Sequence, residues 1–420
     1  MGDDEGSFFN SVSTKLAPRV RKSNRSGHGM SSDAVTRLSD FDHLISANVR
    51  GEVVPDQVRI APGTGVAGDL VLGLLHADPA CPARVLNQKR ELQFLSRPHH
   101  VVAALGLRIA PNSVSATLPV GGLDVSSGVV AHWVAGESGI VGCLDGTPAG
   151  RCGAPNEGNH PREFRLIGLL HDANDRKLSV RDFVIEPRAA RLRRPVVLVG
   201  ATSGELGKTV LAGQIIRHLS EQGLRVGAVK ASGTGGTMDC TSHQQHGAVL
   251  ALDQVDAGLS STHGDPDEVA TRLVTVLRRM EDAEVDVVVV ELGGELLSAA
   301  NPRIAHLPEI RGNAIGFAVI SSDTLGAYGV RAFNEARLHY HPRVFRYFTS
   351  PFRNHAAMSC RMASVGFDQT WDPNSQEDIA RLASELARAI RRRETVEARR
   401  WRAVRTDEPQ RLRAPTNPAR

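Results

Sequence analysis

The chain has 420 residues, 41% of them hydrophobic and only 4% aromatic, with a formal net charge of +4. That length can bury two or three cores, and so small a charge gives no whole-chain basis for binding nucleic acid. No apolar run reaches the ~18 residues of a spanning helix, which argues against a transmembrane helix, and the acidic start Met1-Gly2-Asp3-Asp4-Glu5 lacks an apolar secretory segment, so no signal peptide and a cytoplasmic location are expected. The five cysteines (Cys81, Cys143, Cys152, Cys240, Cys360) are scattered and odd in number, which fits a reducing compartment better than a disulfide framework.

Residues 1–38 are polar, Ser/Asn/Arg-rich and aperiodic, and are expected to form a disordered arm. From 40 to 190, short apolar runs (52–60, 69–75, 100–104, 114–120, 129–134, 164–170 and 178–185) are split by Gly and Pro. This texture predicts a small β-rich, barrel-like domain. Cys143 and Cys152 sit in its Gly/Pro-rich part, but no second Cys/His pair at zinc spacing follows, so a metal site is not expected there. Residues 156–161 read as a loop, and 187–195 as a linker between domains.

At 195 the pattern changes to alternating strand and helix. Residues 196–199 are an apolar run, and 210–219 carry Leu211, Ile215, Ile216 and Leu219 at helical spacing before Gly223, a natural stop. Further strands are expected at 226–230, 285–291, 314–321 and 344–349, and helices at 267–280 and 375–393, the last begun by Ser375 with Asp378 in its first turn. The nearly all-valine run at 285–291 suits a strand buried on both faces. The fold class is therefore α/β: a P-loop domain over 195–393 with a mainly parallel sheet flanked by helices, preceded by the small β-rich domain. The Arg-rich segment 394–420 reads as a flexible tail, and its interleaved Glu394 and Glu397 favour a solvated helix end over a nucleic-acid surface.

The chemistry gathers where strands end. Gly200-Ala201-Thr202-Ser203-Gly204-Glu205-Leu206-Gly207-Lys208-Thr209 joins a buried strand to a helix through a glycine-studded turn. Backbone N–H groups of such a turn and helix start converge on one anion, and Lys208 adds a point charge. The spacing is a variant, because Thr202 stands where the P-loop pattern places its first glycine. Residues Ser203, Gly204, Glu205, Leu206, Gly207, Lys208, Thr209 and Val210 are the nucleotide-binding candidates.

Two other strand ends should face the same edge. Lys230 closes the strand 226–230 ahead of a Gly/Thr loop and Asp239, where it could neutralise a transferring phosphoryl group. Glu291, ahead of Gly293 and Gly294, has the Walker-B placement: a carboxylate that serves Mg²⁺ beside the Thr209 hydroxyl. Lys208, Lys230 and Glu291 are thus the catalytic candidates, and Thr209 and Glu291 the metal candidates. Residues 320–327 are a third polar strand end without a specific signature. Cys240-x-x-His243-x-x-His246 drifts around a helix face, and is expected to face solvent or lie beside substrate without holding a metal.

Gly200–Thr209 with Glu205, Lys230 in Val-Gly-Ala-Val-Lys, and Val290-Glu291-Leu292-Gly293-Gly294 together resemble the dethiobiotin synthetase and cobyrinic acid amide synthetase group, P-loop enzymes in the class of the nitrogenase iron protein. The resemblance implies that Lys208 and Thr209 bind phosphates and Mg²⁺, that Lys230 contacts substrate and γ-phosphate, and that Glu291 serves the metal. The whole layout is similar to a poorly characterised family that joins a small β domain to a P-loop domain with Lys-x-[Ser/Thr]-Gly-Thr-Gly and Asp-Ala-Gly-Leu-x-Ser-Thr. Here these are residues 230–235 and 256–262. The expected function is an ATP- and Mg²⁺-dependent enzyme, a ligase or kinase-like protein, acting on a small carboxylate or amine metabolite. The alternative is a nucleotide-dependent switch or chaperone-like NTPase acting on a protein partner. By analogy with those ligases, a homodimer is expected.

Overall fold

The computed structural model describes residues 36–110, 114–134, 137–146, 161–235 and 238–406, with side chains through 393. Most of the arm expected at 1–38, the loop at 156–160, Cys152 and residues 407–420 lie outside the described residues.

In the N-terminal domain, Leu70–Leu75 pairs with Arg162–His171 along one edge and with His99–Leu105 along the other. Arg162–His171 continues to Val130–Trp133, then to Ile140–Gly146, which returns in parallel to His99–Leu105. These strands close a ring within a nine-stranded sheet. Closure leaves the ring without free edges. The alternation of strand side chains supplies two cores at once. Val71, Leu75, Val101, Ala103 and Leu105 pack with Trp133 and Phe164, while Leu70, Leu72, Val102 and Ala104 pack with Leu170 and Val180.

Two of the apolar runs are not full strands. Pro55 seeds a 3-10 turn over Pro55–Gln57, leaving only Arg59–Ala61 extended. Val180–Phe183 is also a 3-10 turn, capped by Ser179. The strands at Ala83–Leu86, Leu92–Leu95, Leu123–Val125 and Ile140–Gly146 go beyond the expected set. The arm expected to reach 38 stops short of that, since Thr36–Arg37 is a strand and Leu38 is fully buried.

The C-terminal domain is a six-stranded parallel sheet. Its main elements in chain order are β1 (Val196–Ala201), α1 (Lys208–Glu221), β2 (Val226–Lys230), α2 (Asp239–Gln245), β3 (Leu250–Asp253), α3 (Pro266–Asp282), β4 (Val287–Glu291), β5 (Ala314–Ile320), α4 (Thr324–Phe333), β6 (Phe345–Phe348) and α5 (Gln376–Thr406), with short helices at Asn301–His306, Pro308–Arg311 and His355–Ala363 between them. The spatial order is β3-β2-β4-β1-β5-β6. β1 and β4 are central and wholly buried, which is why they read as unbroken apolar runs.

One side of the sheet is covered by Leu211, Ile215, Ile216 and Leu219 of α1 together with Ile379, Leu382, Leu386 and Ile390 of α5. The other is covered by Val269, Leu273, Val276 and Leu277 of α3. Helix α1 stops where Gly223 takes a left-handed φ of 83°. Helix α5 begins at the Ser375 cap, whose Oγ accepts from the Asp378 amide, and continues to Thr406, so the segment expected to fray after 393 is helical to that point. Among the described residues, no helix is long and apolar enough to cross a membrane.

The two domains are locked together. Arg50 of the barrel domain reaches Asp253 at the end of β3, at 2.9 Å, and Asp256 just beyond it, at 3.3 Å. The linker follows the end of α3, where the Arg188 and Ala189 amides donate to the Asp282 carboxylate at 2.7 and 2.8 Å. The Arg50 contacts set the barrel domain at the carboxyl end of β3, on the edge where open α/β sheets bind ligands.

Candidate functional site

The phosphate-loop candidate leaves β1 and turns into α1 through Glu205 and Gly207, whose φ angles of 59° and 81° lie in the left-handed region. Gly207 suits its angle, whereas Glu205 carries the steric strain of a side chain there. No side chain caps the start of α1, so its first amide donors are left for a ligand. Thr202, in the place of the usual first glycine, ties the loop to the next strand end. Its Oγ1 donates to Ser322 Oγ at 3.1 Å and accepts from the Ser322 amide at 2.8 Å. Asp323 caps α4 by accepting from the Gly326 amide. The polar residues after β5 are therefore used in bracing the loop and starting a helix.

The structure brings Lys208, Thr209, Lys230 and Glu291 together. β2 and β4 are neighbours in register, with Lys230 opposite Glu291. Lys230 Nζ donates to Glu291 Oε1 at 2.5 Å and lies 3.0 Å from Asp239 Oδ2. Thr209 Oγ1 lies 2.8 Å from Glu291 Oε1 and 3.1 Å from Asp239 Oδ1. His243 of α2 approaches the other Glu291 oxygen, Nε2 to Oε2 at 3.0 Å.

The electrostatics follow from burial and pairing. Burial disfavours the charged form of Lys230, but Asp239 and Glu291 overcome it and hold the ammonium above its ordinary value. Burial likewise opposes the Glu291 carboxylate, yet Lys230 and His243 keep it well below the usual carboxylate range. Lys208 is 6% exposed, and its Nζ donates to the Ser203 carbonyl at 2.9 Å. Burial, and then the neighbouring Lys230, push it down to about 8. Lys208 is thus a buried cation whose environment is short of negative charge.

Beside the loop lies a pocket of about 260 Å³. Ser203, Gly204, Glu205, Lys230 and Asp239 line it from the C-terminal domain, and Arg108 lines it from the barrel domain. Glu291 sits behind this wall, fully buried. Leu206 packs into the core beneath the loop, and Val210 points outward, 59% exposed, so both can contribute to the loop only through their backbone.

Sequence reasoning missed three contributors. Asp239 and His243 begin and line the short helix α2, and of the two placements expected for this segment, in solvent or beside substrate, burial of Cys240 and His243 rules out the first. The motif Cys240-x-x-His243 was the visible signal, but it marks a partner for Glu291. Asn301 fixes the Gly293-Gly294 turn, donating from Nδ2 to the Gly293 and Glu295 carbonyls at 2.8 and 2.7 Å; nothing local in the sequence points to it.

The donor set fits a Mg²⁺-bound nucleotide. Among the described residues, no group of three or more His, Cys, Asp or Glu could hold a metal by itself. A hydroxyl and a carboxylate, as Thr209 and Asp239 offer, suffice for Mg²⁺ when phosphates and water supply its remaining oxygens. The undercompensated Lys208 charge asks for the same polyanion.

No family model matches the chain, and no curated protein matches it. Among solved structures it is similar to a ParA family ATPase from Chlorobium tepidum TLS at 12% identity, covering 45% of this chain and 98% of that one with a TM-score of 0.32. It is also similar to chloroplast FtsY from Physcomitrella patens, at 13% identity, 49% and 70% coverage and a TM-score of 0.29. A third is the signal recognition particle receptor FtsY from Elizabethkingia anophelis, at 13% identity, 51% and 76% coverage and a TM-score of 0.32. The strand order, the loop and the side chains around it, and not these likenesses, carry the assignment of the C-terminal domain as a P-loop fold.

Proposed function

We propose that the C-terminal domain binds ATP with Mg²⁺ on the loop at residues 203–210 and transfers the terminal phosphoryl group to a small acceptor. The observation that carries this reading is the convergence of Thr209, Lys230 and Asp239 on one point at the end of the loop. In this reading the loop amides and Lys208 hold the β- and γ-phosphates. Thr209 and Asp239 face the metal, which when bound neutralises charge on the phosphate oxygens. Lys230 stands where charge grows on the transferring group. Glu291 has its oxygens engaged by Thr209, Lys230 and His243, and serves the metal by fixing Thr209 and Lys230. No side-chain nucleophile is required, since such transfer depends on positioning and electrostatics. The pocket of about 260 Å³ beside the loop offers a place for a small acceptor.

Titrating the full chain with MgATP and MgADP tests the binding step. Wild type should bind both, and Lys208→Ala should weaken binding ~100-fold through loss of a buried charge-assisted contact. Absence of binding by wild type at millimolar nucleotide would refute the reading. ADP release that responds to a protein extract but to no carboxylate or amine metabolite would replace the enzyme by a protein-directed switch.

A further inference from the structure

Arg108 belongs to the barrel domain, yet it opens onto the same pocket as Ser203, Gly204 and Glu205 of the phosphate loop. Its backbone is fixed by a two-bond bridge to Ala116, with N···O distances of 2.9 and 2.8 Å. Its Nη1 donates to the Val134 carbonyl at 3.1 Å. The domain carrying it is anchored by Arg50 on Asp253, and Asp253 lies opposite Lys230 in the sheet register. Arg108 therefore lines the pocket of the loop from a braced part of the other domain.

Resting on the nucleotide reading above, we propose that Arg108 contacts the terminal phosphoryl group and stabilises the charge on it during transfer. In that step the bond from phosphorus to the β–γ bridging oxygen breaks, leaving its electron pair on ADP. A new bond forms to the acceptor oxygen, that of a carboxylate, which has no proton to lose, or that of water in the absence of a metabolite, whose proton is released to solvent. An arginine aimed at the equatorial oxygens is the group such a transition state rewards most.

Two features of the pocket agree. Burial holds Arg108 below its ordinary value although the Glu205 and Glu137 carboxylates work the other way. His263, on the same wall, is pushed down to about 4 by burial and then by Arg108, and is neutral at pH 7. The acids facing Arg108 do not exclude a phosphate: Glu205 also faces Lys208, and Glu137 pairs with Arg84 at 2.8 Å. The barrel domain would then complete the catalytic site as well as roof it.

The test is equilibrium binding of MgADP with and without aluminium fluoride, which mimics the phosphoryl group in flight. Wild type should bind the fluoride complex more tightly than ADP. Arg108→Ala should keep its ADP affinity within about threefold, which also verifies its fold, yet lose ~100-fold or more in affinity for the fluoride complex. Arg108→Lys should fall between them. Equal behaviour of Arg108→Ala and wild type, an equal loss in both titrations, or a wild type that gains nothing from fluoride would each overturn this inference alone. Failure of wild type to bind MgADP at all would overturn the nucleotide reading with it.

Discussion

Lys230 Nζ lies 2.5 Å from Glu291 Oε1, an ion pair between adjacent strand ends with Glu291 fully buried. Both charges have left water, so the pair holds only because each is further satisfied: Lys230 by Asp239, and Glu291 by Thr209 and His243. Removing one member strands the rest. Glu291→Gln should cost on the order of 3 kcal/mol, lowering Tm by roughly 10 °C. Calorimetry of the variant checks this, and a Tm within a degree or two of wild type would mean the network adds little.

Lys208 gives a pH dependence of opposite sign for binding and for folding. In the free protein its pKa lies at about 8, and contact with phosphate must raise it, so nucleotide binding takes up a proton above that pH. Affinity should be flat in this group below pH 8 and fall about tenfold per pH unit above it. Stability runs the other way. The unfolded chain keeps this lysine protonated to ~10.4, so between pH 8 and 10 the unfolded state binds more protons and this group makes the fold firmer as pH rises. Titration calorimetry at pH 7, 8 and 9 in buffers of different ionisation enthalpy would show the proton uptake, and Lys208→Met should abolish it.

How much of this was legible depended on whether the information was local. The loop is contiguous, so strand, turn, lysine and helix could be read directly, and Lys230 and Glu291 were visible because each ends an apolar run that had to be a central strand. Asp239 and His243 were harder. Helix α2 has only seven residues and is polar, so its spacing left open a place in solvent or beside substrate, whereas the neighbouring buried carboxylate draws His243 inside. Arg108 could not be read at all. It reaches the loop through the packing of one domain on the other, and that packing depends on Arg50, Asp253 and Asp256, which are far apart in the chain. In the barrel domain, proline and capping serine overrode apolar composition at 55–57 and 180–183, which is why two expected strands became turns.

The domain latch makes its own prediction. Arg50 Nη2 lies 2.9 Å from Asp253 Oδ2, and the Asp253 side chain is 1% exposed. Arg50→Met retains the apolar stem but removes the cation paired with this buried carboxylate, which keeps the Val255 amide as a donor, at a cost of about 3 kcal/mol. Because the latch also orients the domain that carries Arg108, the variant should hydrolyse ATP more slowly than its loss of stability explains. Activity measured well below Tm, where the variant is fully folded by circular dichroism, separates the two effects. Wild-type turnover there would show that the latch is structural only.

Gly293 offers the sharpest steric test. A Cβ placed on it would lie 2.2 Å from the Ser232 carbonyl oxygen and 3.3 Å from Lys230 Cε. The first contact is with backbone, which cannot rotate away as a side chain could. In the native chain the Gly293 amide donates to Ser232 Oγ at 2.7 Å, closing the strand-end loops after β2 and β4 against each other. Gly293→Ala must push these loops apart, and with them Lys230 and its partners. The expected result is a loss of at least 2 to 3 kcal/mol, on the order of that for other overpacked sites, together with weakened MgATP binding. Gly264→Ala is the control, since its Cβ would meet nothing within 4 Å. If both variants melt and bind like wild type, the two loops have room to separate and the close approach at Gly293 does not shape the site.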